Sequence, residues 1–214
     1  MTPIVQTLVD QIFVLVRERI VTGKLPQDVA IRQDALAAEF GVSKIPLREA
    51  FVRLEQEGLL ISQINRGFFV RPMSAAEAEE VYELRLRLEP EAVAMAALAA
   101  NDDDHRRARE ALQALDYAAG KSIYEIAKHN RNFHLALVRP AQKPLTMQML
   151  ERLNVIAERY ISKNLETPGR QDVSTQEHAL ILEAWLDRRA DEAAELTRQH
   201  IVMALEDLRR QFAV

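Results

Sequence analysis

Apolar residues fall at Val5, Leu8, Val9, Ile12, Val16 and Ile20, and spacings of three and four keep them on one side of a helix that Gly23 and Pro26 close. A second, shorter helical pattern runs from Gln33 to Phe40 and stops at Gly41. A third starts behind Ser43, whose hydroxyl suits an N-cap, tolerates Pro46 in its first turn and continues to Glu57 before Gly58. Along it Leu47, Ala50, Phe51 and Leu54 share the inner face, which leaves Lys44, Arg48 and Arg53 outward. The pattern then changes: 59–62 and 68–71 read as two short strands, joined across Asn65, Arg66 and Gly67, where Asn and Gly accept the positive φ of a tight turn. Helix, helix, turn, helix and hairpin predict a winged helix-turn-helix, ended by Pro72.

From Ser74 onward every segment keeps a helical period, and Gly occurs only at the breaks Gly120 and Gly169. The pattern predicts helices over 75–99, 102–118, 122–138, 144–164, 174–188 and 191–212. Ser174 with Glu177 has the spacing of a capping box, and Asp191 is placed to cap the last helix. Helices of this length bury their apolar stripes only against one another, so the expected fold is mainly α: a winged helix-turn-helix over 1–72 and an all-α bundle of six to seven helices over 73–214.

Composition narrows the chemistry. With no Cys, disulfides, thiolate metal sites and cysteine nucleophiles are excluded, and any metal must rest on His and carboxylates. The first residues lack the basic region and apolar core of a secretory leader, and the longest apolar stretch, 92–100, is too short to span a bilayer. The expectation is a cytoplasmic protein with no membrane partner. A net charge of -4 argues at first against nucleic acid, but residues 1–71 carry nine Lys/Arg against eight Asp/Glu, and 44–71 five against three. The acidity therefore belongs to the rest of the chain.

The run from Leu36 through Gly41-Val42-Ser43-Lys44-Ile45-Pro46-Leu47-Arg48-Glu49-Ala50, continued by Arg53-Leu54-Glu55-Gln56-Glu57-Gly58-Leu59-Leu60 and Asn65-Arg66-Gly67-Phe68-Phe69-Val70, resembles the winged-helix signature of the GntR superfamily. The remainder resembles that family's FCD-type effector domain: Val81 through Pro90 matches its opening helix, and Asn130 to His134, Glu177-His178 and His200-Ile201 match later motifs. Lys44 and Ile45 depart from the commoner Arg and Thr, which implies an unusual base sequence. The resemblance implies a ligand-responsive transcription regulator whose homodimer binds a palindromic double-stranded DNA operator.

In that reading the third helix enters the major groove. Arg48 is suited to the two acceptors of a guanine edge, and Lys44 acts as a point charge. Ser43 suits a phosphate, Arg32 clamps the backbone ahead of the second helix, Arg53 lies on the outer face, and Asn65, Arg66 and Gly67 form a wing tip that approaches the minor groove.

His134, His178 and His200 lie on three different predicted helices, and Asn130 precedes His134 by one turn on the same face. Converging neutral imidazoles suit a divalent cation, here zinc, nickel or manganese, with Asn130 as a fourth ligand. The resembled family usually has Asp at that position, so Asn withholds one compensating charge and holds the cation less firmly. Arg85, beside the stripe Val81, Leu84 and Leu88, either forks onto the carboxylate of a small organic acid effector or pairs with Glu89 at i+4. His105 and His129 match no motif and are expected at the surface. The alternative is a metal-dependent enzyme acting on a small carboxylate, but HExxH, GxSxG and a phosphate-cradling Gly loop are all missing.

Overall fold

A computed structural model of the chain describes residues 7–165 and 169–212, so Val5 lies outside the described residues. The first helix, α1 (Leu8–Val21), begins where Thr7 and Asp10 form a reciprocal capping box. α2 (Gln33–Phe40) ends on Gly41, whose φ of 65° is the left-handed conformation that closes a helix at least cost to glycine. α3 (Lys44–Gln56) buries Leu47, Ala50, Phe51 and Leu54 completely. Against it lie β1 (Leu60–Gln63) and β2 (Gly67–Val70), antiparallel with Ile61 opposite Phe69. Phe68 of the hairpin meets Phe51 edge-to-face at 5.3 Å. A further rung comes from the chain ahead of α2, where the Ile31 N–H donates to the Phe68 carbonyl at 2.8 Å. The turn bears out the expected backbone, with Asn65 at φ 61° and Gly67 at φ 89°.

The chain divides into two compact units, Met1–Pro72 and Met73–Val214. The second is built from α4 (Ala75–Ala99), α5 (Asp102–Ala118), α6 (Ile123–Val138), a 3-10 turn (Arg139–Ala141), α7 (Pro144–Asn164), α8 (Arg170–Leu186) and α9 (Ala190–Phe212). α4 runs against α9, where Glu79 pairs with Arg209, and also packs on α7, where the Tyr160 hydroxyl donates to Glu77 at 2.8 Å. Pro90 sits inside α4 without ending it, on the buried face. Trp185, Tyr82, Tyr160 and Phe133 fill the centre. Among the described residues no helix is long and apolar enough to cross a membrane.

Two expected caps are corrected. α8 starts four residues before Ser174, behind Gly169 at φ 77°, so Ser174 lies inside the helix and Glu177 is free for other work. Asp191 lies within the first turn of α9. The stripe on α4 is also displaced: Arg85 and Glu89 are buried with Val81 while Leu84 is exposed, because the polar pair satisfies itself in the interior.

Gly41 and Gly120 both have open space where a Cβ would stand, but only Gly41 has a positive φ. Gly41→Ala is expected to cost about 1–2 kcal/mol through backbone strain alone. Gly120→Ala is expected to be neutral or to stabilise by up to ~1 kcal/mol. Urea unfolding of both variants checks this; equal losses would remove backbone conformation as the cause.

Candidate functional site

The outer face of α3 is where the first unit offers chemistry. Arg48 is exposed and, among the described residues, has no ion pair. The same holds for Arg32, which stands at the N-cap position of α2. Lys44 is exposed but pairs with Asp34 of α2. Arg53 reaches back to α1, where it bonds Asp10 at 2.6 Å and covers the Phe13 ring with 4.5 Å to the centroid. The Asp10 carboxyl is lowered to about 2, first by the Thr7 hydroxyl and then by Arg53. Ser43 precedes α3 in extended backbone and makes no capping hydrogen bond, so its hydroxyl and the first-turn N–H groups face solvent. At the wing Arg66 lies over the Phe69 ring, 5.5 Å from its centroid. Asn65 is exposed at the tip, and a Cβ on Gly67 would stand 3.8 Å from the Gln33 amide.

In the second unit three helices bring together side chains that lie far apart in sequence. His134 of α6, His178 of α8 and His200 of α9 are all buried, and each can offer a ring nitrogen to a common point, with these atoms within 4.8 Å of one another. His134 and His200 stack at 5.2 Å, and the Nε2 atoms of His178 and His200 are 3.3 Å apart. Among the described residues Nε2 of His134 is buried without a partner. Burial, followed by the neighbouring imidazoles, pushes His178 well below its ordinary pKa. Burial likewise lowers His200 to about 4, although Glu177 opposes that shift. Ring nitrogens enclosed by protein, two of them on rings that burial keeps from protonating, are the donor set that a divalent cation of borderline softness requires. Asn130 is buried one turn before His134 and lines, with His200, a small cavity whose volume is about 30 Å³.

Behind two of the rings stand carboxylates. Glu89, fully buried, accepts from His134 Nδ1 at 2.6 Å and from Arg85 Nε at 3.0 Å and Nη2 at 3.3 Å. Burial alone would raise the Glu89 pKa, but the Arg85 guanidinium and then His134 hold it below the usual carboxylate range. Glu177 accepts from His200 Nδ1 at 2.7 Å and from Arg170 Nη1 at 3.2 Å, while Arg170 Nε bonds Asp207 at 2.9 Å. Arg85 and Arg170 both line the cavity, with Tyr82, Asn164 and His200. Of the two roles weighed for Arg85, the i+4 pair with Glu89 is therefore present, and the guanidinium also borders the cavity.

The remaining histidines correct the expectation that they are plain surface residues. His105 is half-buried with its ring 5.5 Å from Trp185, and His129 is half-buried beside Glu125 at 3.2 Å. Glu177, Arg170 and Asp207 went unseen as site residues. Glu177 could have been suspected, since it adjoins His178; Arg170 and Asp207 sit seven residues from Glu177 and from His200 and carry no local signal.

A winged helix with Arg48 exposed and, among the described residues, unpaired on its outer helix, followed by a helical unit around a buried cluster of histidines, defines a DNA-binding transcription regulator with a C-terminal effector-binding domain. Residues 8–70 match the model of bacterial regulatory proteins of the gntR family and residues 80–203 that of the FCD domain; the chain belongs to the GntR family and carries its FCD domain. It is 34% identical to the Nta operon transcriptional regulator of Aminobacter aminovorans over 80% of each chain. It is 26% identical to the HTH-type transcriptional repressor GlaR of Escherichia coli (strain K12), covering 91% of this chain and 92% of that one. The solved structure of E. coli McbR/YncC has a TM-score of 0.78 at 23% identity, covering 97% of this chain and all of that one, which shows a shared fold. The relatives are named as regulators, which points to a protein that is not an enzyme.

Arg48→Ala is expected to weaken specific operator binding by about 1–3 kcal/mol, the range for one bidentate guanine contact, without disturbing the fold. Footprinting that shows undiminished operator protection by the variant would remove Arg48 as a base reader.

Proposed function

We propose that this regulator acts as a homodimer on a palindromic double-stranded DNA operator, and that a small organic acid modulates its DNA affinity from a metal site in the FCD domain. One winged helix covers only a half-site, and two-fold symmetry doubles its contacts. On the DNA, Arg48 and Lys44 read or approach bases. Ser43, Arg32 and Arg53 meet the backbone, and Asn65, Arg66 and Gly67 bring the wing to the minor groove. Lys44 and Arg53 first exchange Asp34 and Asp10 for phosphates, a replacement of one exposed pairing by another at little cost.

The observation that carries the metal reading is the buried convergence of His134, His178 and His200, with Nε2 of His134 lacking a partner among the described residues. Leaving a buried polar atom unsatisfied costs ~1–3 kcal/mol, and a cation would remove that cost. His134, His178 and His200 would hold zinc, nickel or manganese, with Asn130 as a weak fourth ligand through its side-chain oxygen. The cation would supply positive charge for a carboxylate. Arg85 keeps Nε and one terminal nitrogen on Glu89 and presents its remaining donors to the cavity side, where the effector's far carboxylate oxygen would bind. A ligand held between α4, α6, α8 and α9 favours one packing of these helices, and its effect on DNA binding is bounded by its differential affinity for the two arrangements, commonly about 1–3 kcal/mol.

Calorimetry with zinc, nickel and manganese tests the site. His178→Ala is expected to weaken binding by more than about 100-fold, since losing even an outer-sphere partner costs ~10–100-fold, and Asn130→Asp should tighten it by restoring a charge. Equal affinity in wild type and both variants would show that the trio is core histidine. For the oligomer, sedimentation should give a dimer at micromolar concentration; a monomer that binds one half-site tightly would refute that part.

A further inference from the structure

The three histidines are not equivalent, and the difference lies in what stands behind each ring. Glu89 and Glu177 each face an arginine, so each is an ionised carboxylate that can only accept. His134 and His200 must then donate from Nδ1 across 2.6 and 2.7 Å, and in a neutral imidazole, which has one N–H, that leaves Nε2 as a bare lone pair. Nε2 of His178 lies 3.3 Å from Nε2 of His200, and two bare lone pairs would repel there; one proton belongs between them. Since His200 holds its proton on Nδ1, that proton is on His178. No carboxylate is bonded to the His178 ring among the described residues; its ring makes a T-shaped contact with Phe133, with 5.1 Å between centroids.

We infer that Glu89 and Glu177 are positioning residues that preset His134 and His200 for metal, while His178 carries its proton on Nε2 and is the one ring that must change tautomer to become a ligand. In the metal-free protein His178 closes the triad by donating to His200. When a cation arrives, the Nε2 proton of His178 is given to solvent and another is taken up on Nδ1, so the ring stays neutral and no net proton is released. The two carboxylates act through the rings they hold: an anionic acceptor at Nδ1 fixes ring orientation and makes Nε2 more basic. Because Arg85 and Arg170 border the effector cavity and also grip these two carboxylates, the cavity and the metal ligands share one hydrogen-bonded chain on each side.

This inference rests on the metal reading above, and its test separates the two. Long-range ¹H–¹⁵N NMR of the metal-free full chain, followed by zinc titration, reads the tautomers directly. The expected result is Nδ1–H for His134 and His200 and Nε2–H for His178, with His178 alone converting to Nδ1–H on zinc. Glu177→Gln is the variant of choice, because Asp207 still pairs Arg170 and the buried charge is not orphaned as Glu89→Gln would orphan Arg85. It should shift His200 to a tautomer mixture and weaken zinc binding ~10–100-fold. An Nε2–H form of His200 in wild type, or zinc affinity of Glu177→Gln within about twofold of wild type, overturns the inference. If zinc fails to bind wild type, the metal reading falls, and the metal-free tautomers decide the present inference by themselves.

Discussion

Burying a guanidinium and a carboxylate on one helix face constrains the whole effector domain. Arg85 is 2% exposed and Glu89 is not exposed at all. Removing two charges from water is repaid only if every remaining donor and acceptor finds a partner, and breaking such a pair by deleting one member costs ~3–5 kcal/mol. Glu89 meets this demand with two bonds from Arg85, one from His134 and a longer contact from the Asn154 amide at 3.5 Å. Those partners come from α4, α6 and α7, so satisfying one carboxylate fixes three helices against one another. His134 is held as a consequence of that packing. The second chain, from Asp207 through Arg170 and Glu177 to His200, does the same for α8 and α9.

The polar interior also accounts for an apolar surface elsewhere. Since Arg85 and Glu89 occupy the inner face of α4, Leu84 is displaced outward, 38% exposed. Between Glu77 and Glu91 charged residues outnumber apolar ones eight to seven, so this stretch of α4 has no obvious inside, and the hydrogen-bond demand of a buried ion pair decides it.

In the DNA-binding unit the governing problem is charge of the opposite kind: how a nearly neutral head presents a positive face. Much of its basic charge is spent internally, as in Arg17 with Glu57, Arg19 with Glu39, Lys44 with Asp34 and Arg53 with Asp10. What is left over is spatially selective, with Arg32 and Arg48 exposed at the two helices of the motif. A small net charge therefore does not argue against nucleic acid when a few cations are unpaired at the reading surface.

The hydrophobic period of the chain by itself determined the helices of both units, three of the six in the bundle to the residue, because apolar spacing and Gly breaks are local properties of the backbone. It also determined the winged hairpin, with each strand displaced by one residue, while the resemblance to the FCD-type domain singled out the three histidines. It did not reveal which face of α4 is buried, nor that Glu177 belongs to the triad rather than to a helix cap, nor that Lys44 and Arg53 are already paired. Those were decided only in the tertiary structure. Each depends on a hydrogen-bond or charge partner brought from a distant segment, and periodicity along one helix carries no information about what another helix will place against it.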